Sequence, residues 1–240
     1  MDKIILEIRA GAGGDEATIF AADLARMYQK FAAKRGWKFN TIDYNQTSLD
    51  GYKTFIAKID GVDAYEDLKN ESGVHRIQRI PKTEKSGRVH TSTASVAVIP
   101  EIEAKEIEIN PNDLEISFFR SSAPGGQNVN KVETAVRIFH KPSGIVVASQ
   151  AGRSQHANRE EAMSVLRAKL FEKQKTEEEM KSGNLRREQI GSAERAEKIR
   201  TYNFPDDRVT DHRIGKKWHN IERILEGELD PIVKALRGSL

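Results

Sequence analysis

Residues 120–130 have the sequence RSSAPGGQNVN, and the rest of the chain is organised around this stretch. It follows a strand-like run, Leu114–Phe119, which predicts a β-strand that ends just before it. Gly125 and Gly126 permit positive φ and leave space where a Cβ would intrude, and Gln127 comes directly after them. The stretch contains no strong nucleophile, general base or metal ligand. It can therefore act only through backbone N–H groups, an amide side chain and close approach to another surface.

Adjacent glycines usually mark an ordinary surface loop, so the tripeptide alone does not establish a functional site. Beyond it, residues 128–134 predict a short helical turn, and two strands are expected at Ala135–His140 and Ile145–Ser149. Residues 158–189 then predict a long, heavily charged helix. Its apolar stripe consists of Met163, Leu166 and Leu170.

The composition excludes several classes of protein. The 240 residues contain no cysteine, which rules out disulfides, thiolate nucleophiles and cysteine-ligated zinc. A net charge of +3 with 31% charged residues is compatible with an RNA partner without requiring one. No basic leader and no apolar run of about 20 residues is found, so we expect a soluble, cytoplasmic protein with no membrane contact.

The first third of the chain predicts a strand, a glycine-rich loop and a helix. Apolar residues alternate at Ile4, Leu6 and Ile8, and residues 11–14 form the loop. The helix is expected to end near Gly36, and its apolar stripe consists of Phe20, Leu24, Met27 and Phe31. Two further strands, at 37–44 and 52–59, and a short helix at 63–70 are expected next.

A glycine-rich loop that opens a helix can bind phosphate. This loop, however, lacks the lysine of a nucleotide-binding P-loop, and the following Asp15 and Glu16 would repel phosphate. An acidic pair at a helix start is explained more simply by the helix dipole.

Residues 73–92 predict a β-hairpin with a polar, glycine-containing tip. Between His75 and Thr91 lie five lysines or arginines and one acidic residue. Such a hairpin is equally typical of a solvated sheet edge and of a surface that binds single-stranded RNA through cations, a flat ring and small hydroxyls.

The remaining segments are less regular. Residues 101–113 are polar and acidic, as in a linker, and residues 184–200 are rich in arginine. Residues 201–205 are expected to end the helical pattern, and a last short helix is expected around residues 221–229.

Five segments together resemble the bacterial class I peptide chain release factors of the type that reads UAA and UAG. They fall in the family's order and cover essentially the whole chain: residues 8–17, 73–92, 121–130, 153–156 and 200–213.

The resemblance implies a protein that enters the ribosomal A site at a stop codon and triggers hydrolysis of the peptidyl-tRNA ester. The tripeptide Pro81-Lys82-Thr83 matches the Pro-x-Thr of the UAA/UAG-reading type. By the same resemblance, Gly13 and Glu16 lie at the helix tip that recognises the first uridine. Thr83 contacts the first and second bases, His90 stacks between the second and third, and Gln78 and Thr91 contact the third.

The same resemblance implies that Gly125, Gly126 and Gln127 reach the peptidyl-transferase centre and promote the reaction there. It implies a factor with no cofactor and no metal, which is not a stand-alone enzyme because ribosomal RNA supplies the remaining groups. The partners implied are the rRNA of both ribosomal centres, the mRNA stop codon and the peptidyl-tRNA, with the factor acting as a monomer. Gln127 is a candidate for N5-methylation by a glutamine methyltransferase.

Two departures from the family pattern keep alternatives open. The family usually begins with a helical domain ahead of residues 8–17, and this sequence does not show one. Ala123, Pro124 and Asn128 also flank the tripeptide at positions where Gly, Ala and His are commoner in the family. Proline and asparagine at these positions resemble codon-independent ribosome-rescue hydrolases. Those proteins lack a codon-reading domain, so codon-dependent termination is favoured over rescue, and both over a plain RNA-binding module.

The expected fold class is α+β. A codon-reading superdomain with a mixed sheet is expected to take residues 1–105, completed by the C-terminal segment 200–240. Residues 106–199 are expected to form a separate α+β domain for peptidyl-tRNA hydrolysis, carrying the Gly-Gly-Gln loop.

Overall fold

The computed structural model of the protein describes residues 2–81, 84, 86–101, 109–120, 133–152, 154–191 and 196–239. These residues form two compact units. One consists of the described residues of 1–102 and 182–240, and the other of those of 103–181. The domain division predicted from the sequence, with boundaries at 105/106 and 199/200, stays a prediction.

The first unit is built on a mixed sheet of eight strands. Its strands are β1 (Asp2–Ala10), β2 (Lys38–Gln46), β3 (Tyr52–Gly61), β4 (Gly73–Arg79), β5 (His90–Pro100), and three later strands described below. Its helices are α1 (Asp15–Lys34) and the shorter α2 (Ala64–Leu68). Together with the second unit described below, this arrangement confirms the expected α+β class.

The C-terminal part of the chain completes this sheet. The sequence suggested that residues 201–205 end a helical pattern, but residues 201–203 belong to a strand and residues 204–205 to the turn after it. The three strands here are β9 (Lys198–Asn203), β10 (Arg208–Asp211) and β11 (Lys217–His219). The spatial order is β11-β10-β9-β4-β5-β1-β3-β2, and only β4 and β9 pair in parallel. Two helices follow instead of the single one expected, α4 (Ile221–Leu225) and α5 (Asp230–Arg237).

The core of the first unit lies between the sheet and α1. The alternating residues Ile4, Leu6 and Ile8 of β1 are fully buried, as are the four members of the predicted α1 stripe. The helix begins after Gly14, and Gly36 follows its end with φ +70°, which confirms the expected stop. Burial of this apolar surface is the main stabilising contribution to the unit.

The second unit is a three-stranded antiparallel sheet with part of a long helix. Its strands are β6 (Leu114–Phe119), β7 (Ala135–His140) and β8 (Ile145–Ser149), whose bounds agree with the prediction. They lie in the sheet in the order β6-β7-β8. The helix α3 runs from Gln155 to Ile190, three residues longer at its start than predicted. The small core consists of Val136, Ile138, Val147, Ala162, Leu166 and Leu170.

The last turns of α3 belong to the first unit, where Gln189 holds them to β5. Its side-chain oxygen accepts from the Val98 amide at 2.8 Å, and its Nε2 donates to the Val98 carbonyl at 3.1 Å. Glu7, which is buried on β1, also pairs with Arg186. An amide side chain thus supplies backbone-like hydrogen bonds where β5 extends beyond β4.

Candidate nucleic-acid interface

The predicted hairpin exists, and its two strands bring Gln78 and Thr91 together. The antiparallel register of β4 and β5 pairs Gln78 with Thr91 and Arg79 with His90. Directly paired residues project to the same face of a sheet, so the amide of Gln78 and the hydroxyl of Thr91 lie side by side. Of the hairpin residues singled out by sequence, Lys82 and Thr83 lie outside the described residues.

The glycine-rich loop before α1 is fastened to β5 next to this pair. The Gly11 amide donates to the Thr93 carbonyl and the Thr93 amide to the Ala12 carbonyl, both at 2.8 Å. The Ala12 amide also donates to Thr93 Oγ1 at 2.9 Å. These bonds continue the β1–β5 ladder past Ala10, and so they hold the loop beside the strand that carries Thr91.

Gly13 meets β5 so closely that no other residue fits. A Cβ built at Gly13 would lie 2.2 Å from the Oγ of Ser92, and φ there is +134°. Both the space and the backbone conformation require glycine. Family resemblance implied that Gly13 lies at the helix tip that recognises the first uridine. In the structure Gly13 packs against Ser92, the residue that follows Thr91 on β5.

Glu16 is in the first turn of α1, where its carboxylate is buried against Arg79. The side chain of Glu16 is 4% exposed, and Arg79 Nε donates to its Oε1 at 2.5 Å. Arg79 also donates to Asp23 at 2.8 Å and packs over the ring of Phe204. The Glu16 carboxylate therefore faces Arg79 rather than solvent, and it ties the helix start to β4.

His90 presents a half-exposed ring at the start of β5. Its side chain is 47% exposed, and its Nε2 lies 2.7 Å from Oε2 of Glu84. The Ser86 amide donates to the other oxygen of that carboxylate at 2.7 Å. The pKa of Glu84 is lowered first by the Ser86 amide and then by His90. The ring is thus oriented by an ionised carboxylate while much of it stays accessible.

Sequence reasoning missed a buried charge network behind the same strands. Arg200, fully buried on β9, donates to both oxygens of Glu71, at 2.6 and 2.8 Å, and to Asp211 at 3.2 Å. Burial opposes the charged form of Arg200, but Glu71 holds its pKa well above the usual range. Tyr28 donates to Glu71 at 3.0 Å, so α1 is bound to the network as well.

His75 lies in this network as a neutral ring. Its Nε2 lies 2.9 Å from the Glu71 carbonyl oxygen and its Nδ1 lies 3.5 Å from the Tyr202 hydroxyl. Burial first, and then the charge of Arg200, lower the pKa of His75 to about 4. The network therefore holds β4 and β9 in place from the buried side of the sheet, and its side chains are not accessible to a ligand.

Three further predicted site residues, Gly125, Gly126 and Gln127, lie outside the described residues, as does most of the expected helical turn at 128–134. Over the described ranges, no cluster of acidic and histidine side chains is arranged to hold a metal ion. No helix in the described part of the chain is both long and apolar enough to span a bilayer.

The chain is similar to known protein families and to curated proteins. Residues 1–96 match the PCRF domain and residues 101–213 match the RF-1 domain. The chain is 55% identical over 234 residues to peptide chain release factor 1 of Carboxydothermus hydrogenoformans, covering 98% of this chain and 65% of that protein. It is 58% identical over 234 residues to peptide chain release factor 1 of Dictyoglomus thermophilum, covering 98% of this chain and 64% of the relative.

A solved structure is similar over nearly the whole chain. RF2 of Thermus thermophilus matches with a TM-score of 0.60 and 38% identity, covering 99% of this chain and 68% of that one. The chain spans about 65% of the length of the curated relatives it matches.

Proposed function

This chain belongs to the peptide chain release factor family, and we propose that it terminates translation at the stop codons UAA and UAG by triggering hydrolysis of the peptidyl-tRNA ester. The observation that supports this most directly is the pairing of Gln78 with Thr91, next to the loop that holds Gly13. The identity to release factor 1 proteins over 98% of the chain supports the same proposal.

The chemistry of the paired residues suits the third codon position. A hydroxyl can donate or accept a hydrogen bond, and an amide carries one group of each kind. Gln78 and Thr91 can therefore tolerate either adenine or guanine, which UAA and UAG require. His90 supplies a flat, half-exposed ring on which a base can stack.

We assign the first two codon positions to other residues. We assign the first uridine to the tip formed by Gly13 and the first turn of α1, with the Pro81-Lys82-Thr83 tripeptide contacting the first and second bases. Glu16 contributes to this site by fixing the position of the helix start, because its carboxylate is bound to Arg79. A tip held in this way reads a base through backbone groups.

Hydrolysis is assigned to the Gly125-Gly126-Gln127 tripeptide. Water adds to the ester carbonyl carbon, the bond from that carbon to the tRNA 3′ oxygen breaks, and the 3′ oxygen takes up a proton. The Gln127 backbone N–H can donate to the developing oxyanion or to the leaving oxygen, while its side chain selects water over larger nucleophiles. Ribosomal RNA supplies the remaining groups, so the factor acts only inside the ribosome. It acts as a monomer and without a cofactor.

The remaining partners follow from this role. They are the rRNA of the decoding and peptidyl-transferase centres, the mRNA stop codon and the peptidyl-tRNA, all in the cytoplasm. N5-methylation of Gln127 by a glutamine methyltransferase would add bulk to the side-chain amide and leave the backbone N–H in place.

Codon-independent rescue is the second candidate, favoured only by Pro124 and Asn128 beside the tripeptide. Peptide release from bacterial ribosome complexes with UAA, UAG, UGA, a sense codon or an empty A site separates the two. We expect release on UAA and UAG alone. Release on an empty A site would indicate rescue, and no release on any complex would leave an RNA-binding module.

A further inference from the structure

Arg76 is a half-buried arginine on the same face of β4 as Gln78. The two residues are separated by one position, and side chains alternate between the faces of a strand, so both project to the same side about 7 Å apart. Among the described residues, Arg76 forms no ion pair with a carboxylate, and its side chain donates to Thr201. Burial alone lowers its pKa from the usual value.

Two neighbouring arginines show what an ordinary structural role requires here. Arg79 is bound to Glu16 and Asp23, and Arg213 is bound to Asp211 at 2.7 Å. Each is partly buried and each is compensated by acidic groups of the same unit. Arg76 is partly buried and has no such compensation among the described residues, and this is the basis for considering an anion supplied by a ligand.

The guanidinium of Arg76 is already oriented for such an anion. Its Nε donates to Thr201 Oγ1 at 3.1 Å, across the parallel pairing of β4 with β9. Thr201 Oγ1 lies 2.7 Å from Nε2 of His212. Burial and the charges of Lys198 and Arg76 lower the pKa of His212, which favours the neutral ring. A neutral ring can accept a hydrogen bond from the Thr201 hydroxyl. Thr201 can then accept from Arg76 and donate to His212.

We propose that Arg76, held through Nε by Thr201 and His212, binds a backbone phosphate of the RNA strand whose base is contacted by Gln78 and Thr91. The two terminal nitrogens have the fork geometry that matches two phosphate oxygens. This rests on the proposed function, because it takes the ligand to be the codon-bearing RNA. Gln78 and Thr91 then determine which base is accepted, and Arg76 contributes affinity and register independent of sequence.

Phosphate fits this position better than a carboxylate of a partner protein. The cation lies two residue pairs along the β4–β5 ladder from Gln78 and Thr91, whose side chains suit base edges. An RNA strand that offers a base there necessarily brings a phosphate nearby. Lys198 lies close enough to lower the pKa of His212, so the surroundings add positive charge. Asp211, the acidic group near His212, is already bound by Arg200 and Arg213.

The test measures binding of the chain to UAA-programmed ribosomes between 50 and 200 mM salt, for wild type, Arg76→Gln, Arg76→Lys and Arg223→Gln. Arg223 is an exposed arginine of α4 paired with Glu228, so Arg223→Gln makes the same charge change away from the sheet face. We expect Arg76→Gln to weaken binding about tenfold. Its slope of log affinity against log salt should fall by about 0.7, the value for one single-strand phosphate contact.

The other variants separate a phosphate contact from a structural role. Arg76→Lys keeps the charge and should retain most of the salt slope, and Arg223→Gln should match wild type. The loss in Arg76→Gln should be the same factor on UAA and on UAG. Thr201→Val, which frees the guanidinium, should weaken binding with an unchanged thermal midpoint.

An unchanged slope in Arg76→Gln would overturn the proposal, whether its affinity fell or not, because loss of a phosphate contact must release fewer counterions. A melting temperature lowered in parallel with affinity would equally overturn it in favour of a packing role. Failure of the proposed function has a different signature, namely that wild type itself neither binds programmed ribosomes nor releases peptide on UAA.

Discussion

Arg79 and Glu16 are 63 residues apart in sequence, yet Nε of the first donates to Oε1 of the second at 2.5 Å. The pair joins β4, which carries Gln78, to the first turn of α1, which follows Gly13. Both side chains are largely buried, and Asp23 takes a second bond from the same guanidinium. The two parts of the proposed codon site are therefore held in register by one ion-pair cluster.

Removing Arg79 should destabilise the first unit and misplace the helix start. Arg79→Ala leaves the buried carboxylate of Glu16 without its partner, for which we expect a loss of about 3 kcal/mol in the free energy of unfolding. Urea titration measures this, with Arg223→Ala as the exposed control that should lose under about 1 kcal/mol. The double variant Arg79→Met/Glu16→Gln should lose less than Arg79→Ala, and a larger loss in the double variant would contradict the coupling.

Much of the fold was predictable because local pattern and tertiary structure agree. Alternation at Ile4, Leu6 and Ile8 predicts β1, and the stripe on α1 predicts its buried face. The strand β9 was missed because Arg200 projects into the core, where a periodicity argument expects an apolar residue. Its charge is tolerated only through Glu71, 129 residues away, and no local pattern contains that partner.

The candidate site also has features that the sequence predicts and features that only the structure shows. Hairpin patterning predicts two paired strands within residues 73–92, while the register that pairs Gln78 with Thr91 is seen only in the structure. Their proposed role in codon reading came from family resemblance. The closeness of Gly13 to Ser92 and the burial of the Glu16 carboxylate depend on contacts between segments distant in sequence. A sequence-based argument could place Glu16 at a helix start but could not show that its side chain is engaged by Arg79.

Gly13→Ala should impair binding to stop codons by crowding Ser92. A Cβ there would lie 2.2 Å from Ser92 Oγ, and φ of +134° is strained for any other residue. Gly14→Ala is the matched control, because its Cβ would meet nothing within 4 Å. Only its sparsely populated backbone conformation, φ +60° and ψ −133°, is then penalised, by about 1–3 kcal/mol. Affinity for UAA-programmed ribosomes should fall more in Gly13→Ala than in Gly14→Ala.

The Ser92→Gly background checks the cause of the Gly13 defect. It removes the side chain that the new Cβ would meet but leaves the backbone strain, so it should restore part of the affinity. No recovery at all would show that crowding by Ser92 is not the cause.

His90→Ala should weaken codon-dependent release through loss of a stacking surface. Base–aromatic stacking is worth about 1–3 kcal/mol per base, so the half-saturating concentration on UAA should rise by about fivefold or more. His90→Phe keeps a flat ring and loses the bond to Glu84, so it should retain most of the affinity. If His90→Phe were as weak as His90→Ala, the contact with Glu84 rather than stacking would be responsible.

Stability should fall with acid through His75. Its pKa is about 4 in the folded protein, and an unfolded histidine titrates near 6.5, so only the unfolded chain takes up this proton between those values. Protonation therefore favours unfolding as the pH falls from about 6.5 to about 4 and adds nothing further below that. The expected loss from this residue is about 3 kcal/mol.

Urea titrations from pH 7.5 to 4.5 test this, with His75→Gln as the comparison. The variant should be less stable than wild type at pH 7.5 but should lose less stability on acidification. Parallel curves for the two proteins would show that the acid sensitivity comes from other groups, such as Glu71 and Asp211, whose lowered pKa values act in the same direction.

Gln127 should act mainly through its backbone N–H. Gln127→Pro removes that donor, and loss of one oxyanion donor in another enzyme costs about 3–4 kcal/mol, so single-turnover release should fall by more than a hundredfold. Gln127→Ala keeps the donor and should retain a substantial part of water-dependent release, while losing selectivity against small alcohols because the side chain no longer restricts the nucleophile. Both variants should bind UAA-programmed ribosomes like wild type, since codon recognition is assigned to Gln78, His90 and Thr91. Comparable release by the proline and alanine variants would contradict the backbone role, because the two differ in the N–H while both lack the glutamine amide.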